Sequence, residues 1–288
     1  MLKKNNRFIA IIKRLLTDVE LIGKSVVFAI ANRHPHNRFV HLYKFRKALA
    51  VGHISPFHRF AAKGQANKIV SLRLKQFGDV LLHFDLADPF QMAICEEFVL
   101  HQIYNLQLLS FVPDYSIDCG TYRGYFSFLV ADKFVACDLI CVEPHPDNYA
   151  AFTQSAKQNG LKNIRIHHKA LSATAGSIML ELWGSNMAKN EEEGVSKVAV
   201  ETISLYELLK DIPAGKKLLL KVDIEGSELD FFPACITQLP AVCAVFLETH
   251  DGWQSLHTIK QQFIEAGFSF SVLRDRGLYI DSFAQRNG

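Results

Sequence analysis

Ile117-Asp118-Cys119-Gly120-Thr121-Tyr122-Arg123-Gly124 is the stretch whose reading decides the fold. The apolar run from Tyr115 to Cys119 predicts a buried strand, Gly120 and Gly124 permit a tight turn, and the residues from Tyr125 to Phe134 predict a helix. Downstream the same alternation returns. Strands are predicted over Leu139–Glu143, Ile164–His168, Ile178–Leu182, Lys197–Thr202, Leu218–Asp223 and Val242–Thr249. Helices are predicted over Pro146–Asn159, Leu205–Lys210 and Glu228–Gln238, and around Leu256, Ile259 and Phe263. Phe268–Leu273 and Leu278–Ile280 flank a turn and read as an antiparallel pair. Repeated strand–helix–strand units imply a doubly wound, mostly parallel α/β sheet with helices on both faces. Upstream, Ile69–Leu74 and Leu82–Leu86 alternate as a β-hairpin does. Asp88, Pro89 and Gln91 then supply an N-cap, a first-turn proline and a capping-box partner for a helix reaching about Leu109.

The 288 residues carry 32 Lys+Arg against 29 Asp+Glu, a net +3, with 49% hydrophobic residues. Disorder and a small disulfide scaffold are both disfavoured. The six cysteines form no C-x-x-C pair and read as buried, reduced thiols of a cytosol-like compartment. The charge is unevenly divided: residues 1–63 hold 13 Lys+Arg against Asp18 and Glu20, a net +11, and the remainder sums to −8. Leu2–Leu16 mixes apolar and basic residues, as a helix lying on an anionic membrane surface would. Charges interrupt the apolar stretches and no cleavage pattern follows, so no secretory signal is expected. The division predicts a basic, helical extension over residues 1–65 and a main domain over residues 66–288, in a cytoplasmic protein able to sit at the membrane periphery. His34, His36, His41, His53 and His58 match no metal-site spacing.

Open α/β sheets bind ligands beyond the carboxyl ends of their strands. Asp118 ends the first strand and can accept hydrogen bonds from an amine. Glu143, 25 positions on, ends the second and can accept from both hydroxyls of a ribose. A nicotinamide dinucleotide would favour G-x-G-x-x-G, whose middle glycine is missing here. S-adenosylmethionine has no phosphate and carries two cationic groups, so acidic strand tips suit it better.

Asp118–Gly124, Glu143-Pro144-His145-Pro146, Lys169-Ala170-Leu171-Ser172 and Leu220-Lys221-Val222-Asp223-Ile224-Glu225-Gly226-Ser227-Glu228 together resemble the FkbM family of S-adenosylmethionine-dependent methyltransferases. The likeness spans roughly Ile69 to Ile280. It implies a Rossmann-like class I methyltransferase with a seven-stranded sheet and a C-terminal antiparallel strand, acting on hydroxyls of sugars, polysaccharides or natural products. By the same resemblance Asp118, Gly120 and Gly124 would line the methionine end of the cofactor, and Glu143 would hold its ribose; Thr121 is a further cofactor-binding candidate, and Asp223 one near the transferring methyl or the acceptor. Ala170 and Leu171 would border the adenine. Tyr122 departs from the family, which commonly has Asn there.

Methyl transfer to a hydroxyl needs an aligned oxygen and a group that removes its proton. Asp223, Glu225 and Glu228 follow one predicted strand, and Glu248, His250 and Asp251 follow the next. Asp223, Glu225 and His250 are the catalytic candidates, His250 for its near-neutral pKa. No metal site is predicted, although Asp223, Glu225, Glu248 and His250 are a ligand set that would suit Mg²⁺. Trp183 and Trp253 are candidates for stacking on a sugar. Two other readings stay open: a nicotinamide-dependent oxidoreductase, and a non-enzymatic protein whose basic arm binds a membrane surface or nucleic acid, with no specific nucleic acid expected.

Overall fold

The computed structural model describes residues 22–32, 34–35, 37–86, 88–181, 197–224 and 228–288, with the exception of residues 53–68. The residues form two compact units, each with its own architecture.

The first unit contains α1 (residues 22–31), α2 (Phe39–Gly52), β1 (Ile69–Arg73), β2 (Leu81–Asp85) and α3 (Pro89–Glu96). β1 and β2 pair antiparallel from Ile69↔Asp85 to Arg73↔Leu81, as the alternation predicts. The Phe45 ring of α2 packs at a tilt 4.4 Å from Phe84 of β2 and sits 6.1 Å from Phe28 of α1, so the described part of the basic extension shares an aromatic core with the hairpin. Asn37 imitates a strand neighbour, its Oδ1 accepting from the Arg73 amide at 2.9 Å and its Nδ2 donating to the Arg73 carbonyl. Asp88 caps α3, accepting from the amides of Phe90 and Gln91. Gln91 does not complete a capping box. It accepts from the Asp85 amide at 2.8 Å and donates to the His83 carbonyl at 3.1 Å, fastening the helix to β2. The helix also ends sooner than the periodicity predicts. It widens into a π-turn over Glu97–His101, and Gln102 takes a positive φ of 49°, which a helix cannot accommodate. The Leu2–Leu16 segment lies outside the described residues.

The second unit holds β3 (Tyr115–Cys119), α4 (Tyr125–Lys133), β4 (Asp138–Val142), α5 (Pro146–Gln158), β5 (Ile164–His167), β6 (Ala170–Leu171), β7 (Gly176–Glu181), β8 (Lys197–Ile203), α6 (Leu205–Leu209), β9 (Leu218–Val222), α7 (Glu228–Cys235), β10 (Val242–Thr249), α8 (Trp253–Glu265), β11 (Ser269–Asp275) and β12 (Ile280–Asn287). Seven strands run in the order β11-β12-β10-β9-β3-β4-β5. All described pairings are parallel except those of β12, which is antiparallel to both neighbours. β12 continues well past the predicted Ile280. Asp281, Ser282, Gln285 and Arg286 break its apolar pattern, yet it is an inner strand between β10 and β11.

β7 and β8 do not join the main sheet. With β6 they form a separate three-stranded sheet.

The register carries different side chains to the two faces of the main sheet. On one face Ile117, Leu220, Val222, Val245 and Leu247 meet Phe231 and Phe232 of α7 and Phe263 of α8 in a single buried cluster. The opposite face bears Asp118, Lys221 and Phe246 side by side, because Asp118 pairs with Lys221 and Lys221 with Phe246. Tyr104 and Phe126 of α4 cover it, their rings 5.6 and 6.1 Å from Phe246. All six cysteines are buried thiols outside any disulfide. Burial pushes the Cys235 thiol up to about 12, so it is inert at neutral pH.

Candidate active site at the carboxyl edge of the sheet

The turn after β3 is shaped by residues distant in sequence and close in space. Gly120 has a φ of +78°, and a Cβ there would stand 1.8 Å from the carbonyl oxygen of Asp223. Gly124, at φ +83°, leaves room for the Phe152 ring of α5, which a Cβ would meet at 2.0 Å. The turn is bolted to both adjacent strand tips: the Gly120 amide donates to the Val142 carbonyl at 3.0 Å, and the Asp223 amide donates to the Cys119 carbonyl at 3.1 Å. These glycines therefore serve close backbone and ring approach within the protein, as well as turn formation.

Tyr122 also adopts positive φ, at 53°. That is the left-handed region where Asn is tolerated and a bulky residue is strained. Asn at this position would have a conformational rationale. The Tyr122 amide points at Glu143 and donates to its Oε2 at 2.7 Å, while the His145 amide donates to Oε1 at 2.9 Å. Burial lifts the Glu143 carboxyl to about 7, against the lowering effect of those two amides. The Asn148 side chain also bonds to this carboxylate, which leaves about one of its roughly four acceptor sites for a further donor.

Asp118 lies deeper than its expected role requires. It is 1% exposed, accepts from the Ser127 hydroxyl at 2.6 Å, and has its Oδ1 3.6 Å from the Lys221 ammonium. Its pKa is raised, chiefly by burial, with Lys221 and Ser127 opposing.

Lys221 received no role from the sequence and is the hub of this edge. Its Nζ donates to the Gly120 carbonyl, lies 3.4 Å from the Cys119 carbonyl oxygen, and is 3.3 Å from Asp223 Oδ2. Burial by itself would lower the ammonium's pKa. Asp223 and Asp118 outweigh that and hold it above the ordinary lysine value. A signal was present in Leu218-Leu219-Leu220-Lys221-Val222: a cation within a strand buried along its whole length requires a buried anion.

Across β9 and β10 the edge is acidic. Leu247 pairs with Val222 in parallel and Glu248 with Asp281 antiparallel, so Asp223, Glu248 and Asp281 follow one another across three strands. His250 Nδ1 is 2.9 Å from Glu228 Oε1, and its Nε2 is 3.9 Å from Glu248 Oε1. Arg276 Nη2 lies 3.0 Å from both Glu248 Oε2 and Asp281 Oδ1. Burial raises the Asp281 carboxyl, with Arg276 opposing. The Tyr279 ring meets His250 edge-on at 5.3 Å.

The structure thus brings Asp118, Gly120, Thr121 and Gly124 to one turn, with Glu143 bonded to it and Asp223 against it. It sets His250 in a cluster with Asp223 and Glu248. Ala170 and Leu171 lie in β6, paired with β8, and Leu171 belongs to the buried core with Ile203 and Leu205. Glu225 and Trp183 lie outside the described residues. Trp253 is 56% exposed, its indole donating to Asp275 at 2.9 Å.

The turn fits an S-adenosylmethionine by a test within the protein. Thr121 Oγ1 is buried at its rim without a hydrogen-bond partner among the described residues. Such atoms are stabilised when a ligand supplies the missing partner. Thr121, Glu143 and the turn backbone would hold it.

A parallel sheet closed by one antiparallel strand, with a glycine turn after its first strand and an acid at its second, defines the Rossmann-like methyltransferase class. Residues 118–270 match the methyltransferase FkbM domain, and the chain belongs to that family. It is 28% identical over 138 residues to the hexuronic acid methyltransferase AglP of Haloferax volcanii, an alignment covering 47% of this chain and 55% of that protein. The chain thus spans about half the length of that relative. It is 22% identical over 188 residues to methyltransferase 1 of Beauveria bassiana, covering 56% of this chain and 76% of that one. Among solved structures it is similar to M. jannaschii TYW2 in complex with AdoMet, with a TM-score of 0.47 and 11% identity over 77% of this chain and 87% of that one.

Proposed function

We propose that this protein is an S-adenosylmethionine-dependent O-methyltransferase acting on a hydroxyl of a sugar, polysaccharide or related metabolite. The observation that carries the reading is the junction of β3 and β4, where the ribose-competent Glu143 and the unpartnered Thr121 hydroxyl share one glycine turn. When bound, the cofactor would supply a methyl already activated by a sulfonium. The residues have simpler tasks. Glu143 holds the ribose, Lys221 keeps the turn against Asp223, and Asp118 supports the turn from beneath. Asp223, Glu225 and His250 are the groups proposed to receive the acceptor and the proton it loses.

Two observations favour a carbohydrate acceptor. Tyr279 is 44% exposed and touches His250, and the exposed Trp253 follows two residues after Asp251. Flat aromatic faces of this kind cover the apolar side of a sugar ring. The relative named for a hexuronic acid points to the same substrate class.

The test is calorimetric titration with S-adenosylmethionine, followed by mass-spectrometric detection of a product heavier by one CH₂ after incubation with candidate glycans. Glu143→Ala should abolish cofactor binding while leaving the fold intact. Normal affinity in that folded variant would sink the ribose assignment, and saturable dinucleotide binding in place of S-adenosylmethionine would favour an oxidoreductase.

No helix among the described residues is long and apolar enough to cross a membrane. We place the protein in the cytoplasm, with the +11 segment as a contact for anionic membrane surfaces. Replacing Lys3, Lys4, Arg7, Lys13 and Arg14 by Gln should weaken liposome binding, and unchanged binding would take the arm out of the account.

A further inference from the structure

We propose that the carboxylate–imidazole cluster at the tips of β9 and β10 binds a divalent cation of the Mg²⁺ or Mn²⁺ class through Asp223, Glu248 and His250. The proposal rests on the reading that this edge receives the acceptor, and specifies how it handles the acceptor's hydroxyl.

The first support is geometric. One ligand atom from each of the three residues lies within 4.8 Å of the other two. Ligands at about 2.1 Å from one ion stand roughly 3 to 4 Å apart. His250 Nε2 and Glu248 Oε1, at 3.9 Å, are too far apart for a hydrogen bond and lie within that span. On its other side the ring meets Glu228 Oε1 through Nδ1 at 2.9 Å. An outer carboxylate on one ring nitrogen fixes the tautomer that presents the other nitrogen to a metal.

The second support comes from Asp281, which is not one of the three. It is 5% exposed, and its Oδ2 has no hydrogen-bond partner among the described residues. As the strand partner of Glu248 it faces the same side of the sheet. Arg274, the strand partner of Asp281 on its other side, acts on this carboxyl without bonding Oδ2, so a buried acceptor stands open beside two more carboxylates. The protein's own cations flank this row, Arg274 beside Asp281 among them. Lys221 lies 3.3 Å from Asp223 and also serves Asp118, while Arg276 is shared between Glu248 and Asp281. A cation between Asp223 and His250 would complete the row. Bound there, it would hold an acceptor oxygen and make its proton easier to lose, with His250 serving as a ligand in place of a base.

The test uses the full chain, dialysed against a chelator and titrated with Mn²⁺ alone. Free Mn²⁺ is followed by electron paramagnetic resonance and binding heat by calorimetry. One saturable site is expected. Glu248→Gln should weaken it about tenfold or more, and Glu265→Gln on α8 should leave it unchanged. Asp223→Asn is the second variant should Glu248→Gln fail to fold, with thermal melting as the check. Absent saturation, or equal affinity in wild type and a folded Glu248→Gln or Asp223→Asn, would overturn the proposal. A parallel titration with S-adenosylmethionine separates the two readings. Cofactor binding and methyl transfer in chelator-treated protein that takes up no Mn²⁺ would remove the metal and keep the methyltransferase. Mn²⁺ binding without cofactor binding would do the reverse.

Discussion

The two halves of the sheet edge are built on different principles. At the β3–β4 half, positive φ values, missing Cβ atoms and backbone hydrogen bonds shape the turn, and the groups left open to a ligand are the buried Glu143 carboxylate and the Thr121 hydroxyl. At the β9–β10–β12 half the backbone also turns through positive φ, at Asp251 and Gly252, but the content is charge: Asp223, Glu228, Glu248 and Asp281 against Lys221 and Arg276. A cofactor of constant shape calls for a rigid cradle. A proton-transfer site calls for titratable groups held under electrostatic tension.

Lys221 joins the halves, so its loss should have the largest effect. Lys221→Met leaves Asp118 and Asp223 without their buried cation and should cost about 3–5 kcal/mol, read from denaturant melts. Unchanged stability would mean that the two halves are independent. Gly120→Ala tests the cradle alone. A Cβ 1.8 Å from a backbone oxygen cannot be relieved by a rotamer change, and positive φ adds strain, so a loss of about 3 kcal/mol is expected, together with S-adenosylmethionine affinity.

A smaller effect should follow from pH. Glu143 titrates at about 7 in the folded protein, above its ordinary value, so the folded state holds a proton that the unfolded chain has released. Its contribution to stability therefore falls as pH rises from the ordinary carboxylate range to about 7, and levels off above. Cofactor hydroxyls prefer the ionised carboxylate, so affinity should tighten as pH rises through about 7 and lose that dependence in Glu143→Gln. Affinity that is flat with pH in the wild type would show that Glu143 is already ionised or does not touch the ribose. The smallest change is Tyr122→Asn, which should relieve left-handed strain and raise stability by roughly 1 kcal/mol in thermal melts, without disturbing the amide bond to Glu143.

The same contrast explains what could be read in advance. β3 and β10 fall where their apolar runs predict, because a strand buried on both faces announces itself by composition. β12 does not: Asp281 and Arg286 disguise it, one serving the acidic row and the other donating to the carbonyls of Leu239, Pro240 and Ala266. The helix drawn to Leu109 was overextended, since periodicity does not register a wide turn followed by a left-handed Gln102. Gln91 sat at a capping-box spacing, and the nearby hairpin offered it stronger partners.

Local order along the chain was enough to determine the alternation of strands and helices, the glycine turn after β3 and the acid at the tip of β4, since each depends on neighbours in sequence. Strand order was decided only by tertiary structure. It set Lys221 beneath Gly120, paired Glu248 with Asp281, and brought His250 to Glu228, because contacts between residues about 20 to 100 positions apart depend on which strands lie side by side.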